Sequence, residues 1–183
     1  MEYPGSFIKG TYRDQLFDAE GIMKYDSGWN DNTIMNSFHV LLARLVTHDA
    51  DLFKDQPRSL VMRFGKFSNA WTSLAVAPAE ENLTDPYPDF FLQENSGLVV
   101  AYLDDNGVAQ TNPSNRVQIT TTLGPKMPAD AVCPLGEFAV YIRYGTPANN
   151  PVSPDDHIIN HVRHYLISKA PTDTLIRQIR FTF

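Results

Sequence analysis

Ile158-Ile159-Asn160-His161-Val162-Arg163-His164-Tyr165-Leu166-Ile167 and Leu175-Ile176-Arg177-Gln178-Ile179-Arg180-Phe181-Thr182-Phe183 are the segments on which the fold turns. The first is rich in β-branched and aromatic residues. The second alternates, with Leu175, Ile179, Phe181 and Phe183 on one face, and period two is the mark of a strand. Lys169-Ala170-Pro171-Thr172-Asp173 between them reads as a hairpin connection. Three of the last five residues are apolar, so the C-terminal strand should be tied into a sheet.

Upstream the same grammar repeats. Leu60-Val61-Met62-Arg63-Phe64-Gly65, Phe90-Phe91-Leu92 and Leu98-Val99-Val100-Ala101-Tyr102-Leu103 are short, apolar and β-prone. Asp104-Asp105-Asn106-Gly107 is a tight turn, because Asn-Gly tolerates positive φ. Arg116 to Leu123 alternates, with Val117, Ile119 and Thr121 on one face. Prolines 125, 128 and 134 mark a loop, and Glu137 to Tyr144 is another strand. Asn149, Asn150, Pro151 and Pro154 make a second loop. The stretch Lys66–Pro88 contains Trp71 and prolines that break ladders. It is expected to be a long excursion over a neighbouring surface.

One segment has a different period. Ile34, Phe38, Leu41, Leu42 and Leu45 fall at i, i+4, i+7, i+8 and i+11, and Asp31, Asn32 and Thr33 are good N-cap residues. The spacing predicts an amphipathic helix from about Thr33 to Thr47, packed on its own sheet. Residues 1–28 are mixed, with Gly5 and Gly10 interrupting any periodicity, and are expected to be an N-terminal arm or short strands. Residues 29–183 are then a single domain. The predicted fold is mainly β with one amphipathic helix (α+β): an antiparallel β-sandwich-like domain with an N-terminal arm and a long loop.

Composition narrows the function classes. The chain has 183 residues, 43% of them hydrophobic, which allows one proper core. Apolar residues occur throughout, which argues against disorder. Fifteen basic and 21 acidic residues give a net charge of −6. With a pI near 5.2, this disfavours a charge-driven nucleic-acid binder. No stretch approaches about 18 uninterrupted apolar residues, so no membrane span is expected. Cys133 stands alone, so no intrachain disulfide is expected. Met1 to Gly5 has neither a basic leader nor an apolar run, so the expectation is folding in the cytoplasm.

The chemical motifs are sparse. His157, His161 and His164 would share one face of a helix and suit a metal. The β-branched residues around them argue for a strand, on which His157 and His161 share a face and His164 points away. Surface or hydrogen-bonded histidines are the preferred reading, and no metal or cofactor is assigned. The pairs Glu80-Glu81, Asp104-Asp105 and Asp155-Asp156 lie in loops and do not converge. No Gly-x-Ser-x-Gly elbow, His-Glu-x-x-His or phosphate loop is present, so no catalytic residue is assigned. Asn82-Leu83-Thr84 fits a glycosylation acceptor but has no leader to accompany it. Glu94 and Glu137 each lie beside strand-like residues and need partners. Lys169 and Arg63 are candidates within the chain, and a neighbouring subunit is the alternative.

The elements run Gly28-Trp29-Asn30-Asp31-Asn32-Thr33-Ile34, the helix ending Leu41-Leu42-Ala43-Arg44-Leu45, then Met62-Arg63-Phe64-Gly65 and Phe91-Leu92-Gln93-Glu94. Leu135-Gly136-Glu137-Phe138-Ala139-Val140-Tyr141, His161 to Lys169, and the final strand follow. This order resembles small structural proteins of phage tails and of phage-tail-like contractile injection systems. The attachment region of some tail fibres shows a related order, but this chain has Ala139 where that pattern has glycine, and a complete fibre with shaft and tip is not expected.

The resemblance implies a non-enzymatic adaptor at the cap or terminator end, at the baseplate or at a fibre-attachment point. Its partners would be tube, sheath or baseplate subunits, with copies closing a homo-oligomeric ring. Folded in the cytoplasm, it would be incorporated into a virion tail or contractile particle. Candidate subunit-interface residues are Trp29, Trp71, Glu137 and Phe183. The alternative is a soluble ligand- or carbohydrate-binding β-sandwich, since Tyr and Trp beside acidic loops suit sugar stacking. A third is a metalloenzyme built on the three histidines.

Overall fold

The structure is a computed structural model that describes residues 8–47, 58–80, 82–94, 96–144 and 157–183. In chain order the elements are β1 (Lys9–Phe17), β2 (Met23–Asp26), β3 (Asn30–Asp31), β4 (Thr33–Ile34), α1 (Asn36–Val46), β5 (Arg58–Lys66) and β6 (Pro86–Glu94). They continue as β7 (Gly97–Leu103), β8 (Ala109–Gln110), β9 (Arg116–Leu123), β10 (Cys133–Tyr144), β11 (His157–Lys169) and β12 (Thr174–Thr182). The pairs Glu80-Glu81 and Asp155-Asp156 and the loop at 149–154 fall wholly or partly outside the described residues.

The hydrogen-bonded path is β2-β1-β12-β9-β7-β6-β5-β10-β11-β4, with β3 added to β1 and β8 to β7. It folds into two facing sheets, so the expected sandwich-like, mainly β domain with one helix is the fold found. Apart from β6–β7, every pairing is antiparallel. One seam is the corner between β6 and β7, where only Gln93↔Gly97 and Glu94↔Leu98 pair. Gly97 turns this corner at φ +126°, and the Leu92 side chain lies where a Cβ would stand, so only glycine fits. The opposite seam is bridged by residues 30–34, which pair with Tyr12 and Thr11 on one side and with Asn160 and His161 on the other.

The main core lies between the sheets. Ile119 and Leu123 of β9 and Leu175, Ile179 and Phe181 of β12 face Met62 and Phe64 of β5, Phe138 and Val140 of β10, and Val162 and Ile167 of β11. On β5, β9, β10 and β12 these come from alternate positions, which is why the period-two reading located them, while on β11 a register shift opposite Leu135–Glu137 changes the parity between Val162 and Ile167. A smaller cluster, Met35, Val76, Leu83, Ala139, Tyr141 and Ile158, sits on the outer face of the second sheet. Val76 and Leu83 come from the long loop between β5 and β6. That loop therefore covers its own sheet, whereas the sequence predicted a neighbouring surface.

Four more expectations change. Lys9–Phe17, expected as part of an arm or short strands, is the nine-residue strand β1, which pairs with β12 at nine successive positions inside the domain. Its buried row is Gly10, Tyr12, Asp14 and Leu16. The helix begins later than Thr33: Asn30–Asp31 and Thr33–Ile34 are taken by the seam, and Met35 holds the N-cap position without a side-chain cap bond. Of the expected stripe, only Phe38 and Leu41 are buried among residues within α1. The turn after β11 is not a hairpin, because β11 pairs with β10 and β4 while β12 pairs with β1 and β9. It carries the chain from one sheet to the other and is pinned by Asp173, whose Oδ2 accepts from Ala170 N at 3.0 Å and from Lys24 Nζ at 2.8 Å.

Candidate functional site

Two buried ionic centres lie on the two faces of β11. On the inner face, Arg177 of β12 stands fully buried between Leu175 and Ile179. Its Nε donates to Asp14 Oδ1 at 2.6 Å and its Nη2 to Asp14 Oδ2 at 2.9 Å, a bidentate pair. Nη2 also meets His164 Nε2 at 2.8 Å. The guanidinium carbon lies 3.8 Å from the ring centre of Phe138 and 5.5 Å from that of Phe64. Aromatic faces thus cover the cation where no oxygen does.

His164 is fixed as the neutral ring. Nδ1 lies 2.8 Å from the carbonyl of Tyr165, an acceptor, and Nε2 faces Arg177, a donor. The proton therefore sits on Nδ1. Burial pushes the His164 pKa down to about 4, and the charge of Arg177 pushes the same way. Burial, with Asp14 close by, raises the Tyr12 phenol to about 12. Tyr12, Asp14 and His164 also line a polar recess of about 480 Å³ with Tyr25, Asp31 and Arg163, at the seam between β1 and β11.

On the outer face, Glu137 is fully buried. Its Oε1 accepts from Asp85 N at 2.8 Å and its Oε2 lies 3.2 Å from His161 Nε2. A Cβ on Gly65, its neighbour across β5, would collide with this carboxylate. The expected partners, Lys169 and Arg63, are replaced by His161 and a loop amide; Lys169 Nζ instead donates to Gly124 O at 2.8 Å. This centre fastens the long loop to the sheet.

The three histidines do not converge. A bulge between Val140 and Tyr141 puts His157 opposite Ile142 and His161 opposite Ala139. Ile142 packs toward the main core and Ala139 belongs to the outer cluster, so these two histidines lie on different faces. The sequence expectation that they share a face fails because a bulge shifts the parity. His164 lies on the face opposite His161, as expected, and that face is the core side. Among the described residues, no group of three potential ligands gathers around one point.

The remaining candidate residues separate. Trp29 is 39% exposed, and the guanidinium of Arg180 lies 4.1 Å from its ring centre. Trp71 packs edge-on against Phe67 at 5.4 Å and under Arg163 at 5.3 Å, inside the long loop. Arg163 in turn bonds Glu80 and Thr84. Glu137 is engaged within the chain. Phe183 is 44% exposed and meets Phe38 edge-on at 6.1 Å. Glu94 is the last residue of β6.

One group of exposed apolar side chains lies at the outermost strand. β2 ends the hydrogen-bonded path, and all four of its residues are exposed. Ile22, just before β2, and Met23 and Tyr25 within it are 65%, 48% and 39% exposed, while Lys24 and Asp26 pair with Asp173 and Arg13. Tyr165 and Leu166 of β11 are also exposed. No protein-family model, curated protein or solved structure matches this chain.

Proposed function

We propose that this chain is a structural assembly component of a phage tail or contractile injection system, an adaptor between subunits at the cap, the baseplate or a fibre-attachment point. The observation that carries the reading is the β2 edge. An edge strand that shows apolar side chains and an unpaired backbone row is what soluble monomers avoid and what strand addition uses. Among the described residues, nothing pairs with the outer side of β2. The order of sequence motifs that resembles tail proteins supports the same reading. Tube, sheath or baseplate subunits are the proposed partners, and repeated heterologous contacts would close a ring.

The test is complementation. In cells that make such particles, removal of the gene should give aberrant particles, and the wild-type gene should restore them. A Met23→Lys, Tyr25→Lys variant, which charges the exposed side chains of β2 and leaves the core untouched, should fold but restore few or none. Normal particles without the gene would overturn the proposal.

A further inference from the structure

At the end of the sandwich beneath α1, the two sheets do not close on each other. A cavity of about 420 Å³ remains between them. It is lined by β5, β10 and β11 from one sheet, by β7, β9 and β12 from the other, and by α1 across the top. Among the described residues, all that line it but Ser59 are apolar, and none of these is charged. Ser59 precedes Leu60 on β5, and it is Leu60 that shares the inward row of Met62 and Phe64. The cavity is therefore a hydrocarbon environment.

Its origin is legible in the residues. Val100 and Val117 are small for inward positions at a sheet end, and the helix above them presents Leu42 and Leu45 with only Phe38 and Leu41 buried. Solvent reaches the rim, because Val100, Leu45 and Phe183 are 40%, 37% and 44% exposed. The cavity is an open apolar cleft between the two sheets and the helix. Its volume and lining are those of small-ligand sites.

We propose that this cavity binds the alkyl chain of a single-chain lipid or similar amphiphile. The chain enters between α1 and the C-terminal strand, and its head group stays in water at the rim. The described lining residues offer no counter-charge to a charged head in the interior, so the head belongs at the wet rim. The site is independent of the β2 edge and of the assembly role.

The experiment uses the full chain and the neutral fluorophore N-phenyl-1-naphthylamine as reporter, displaced by n-alkanols and by decanoate. Saturable binding of one reporter per chain is expected, with displacement by 1-decanol. Affinity should rise about fourfold for each methylene added until the cavity is filled. Displacement by decanoate as well would identify fatty acids as the source, and displacement by alkanols alone a neutral lipid. Val100→Trp, which fills the cavity, and Leu45→Asp, which charges the rim at a part-exposed position, should each weaken binding at least tenfold with unchanged circular dichroism. Three results would overturn the proposal: no saturable reporter binding, folded variants that bind like wild type, or a wild-type dimer that binds no alkanol and is dispersed by Leu45→Asp.

Discussion

Removing Asp14 should be the most damaging single truncation at the inner ionic centre. Asp14 and Arg177 are both fully buried and joined by two hydrogen bonds of 2.6 and 2.9 Å. In Asp14→Ala the guanidinium stays between Phe64 and Phe138, with only His164 Nε2 near it. Breaking one side of a buried pair costs about 3–5 kcal/mol, against a total stability of about 5–15 kcal/mol for a domain. Replacing both sides is different. Asp14→Leu with Arg177→Met removes the uncompensated charge and leaves apolar groups among apolar groups. The remaining cost is the donor lost to His164, about 1 kcal/mol. The singles Asp14→Leu and Arg177→Met, each of which leaves one buried charge unpaired, should therefore sum to several kcal/mol more than the double variant. Urea unfolding followed by tryptophan fluorescence measures all four corners of this cycle, provided the m-value stays constant. Additive singles, or an Asp14→Ala cost below about 1 kcal/mol, would refute the reasoning.

The acid limb of stability should belong largely to His164. Its folded pKa of about 4 lies below the ordinary value, so between pH 6.5 and 4 the unfolded chain binds a proton that the native chain refuses. Stability is complete above about pH 6.5 and falls toward pH 4 by on the order of 3 kcal/mol; His164→Gln should flatten this limb, and parallel profiles would count against it. Glu137→Ala leaves a buried loop amide and a buried imidazole without their acceptor, so it should cost about 2–4 kcal/mol and open the 67–85 loop to proteolysis. Gly65→Ala should do the same by pushing the carboxylate aside, and a protected loop in either variant would refute the fastening role. The Cys133 thiol is 2% exposed, so an aromatic disulfide reagent should react with it only on unfolding; rapid reaction in the native state would contradict the packing.

The strands announced themselves by period, and so did most of the core. Leu175, Ile179 and Phe181 were legible as an inward row, yet Arg177 shares that row and reads in isolation as solvent-facing. Its signal was the strict alternation itself, matched by Asp14 between Tyr12 and Leu16, but the two residues lie 163 positions apart. The same charge hid β1, whose buried row includes Gly10 and Asp14 and so looks unlike a central strand. Turn chemistry identified the break at residues 170–173 but carries no information on which strands pair, so a sheet-to-sheet crossover read as a hairpin. Helix capping preference pointed to Asp31, Asn32 and Thr33, and long-range pairing with β1 and β11 overrode it. Glu137 stood out as an acid in need of a partner; which partner depended on a loop amide and a bulged strand that no local pattern encodes.

The most direct test of the assembly role is to count this chain in purified particles. Quantitative mass spectrometry of intact tails or injection particles, normalised to the tube subunit, should find it at a fixed ratio set by the ring or attachment point, and the Met23→Lys, Tyr25→Lys variant should be lost from particles while remaining folded in the cell. Particles of normal composition that lack the chain, or a variant retained at the wild-type ratio, would contradict the account.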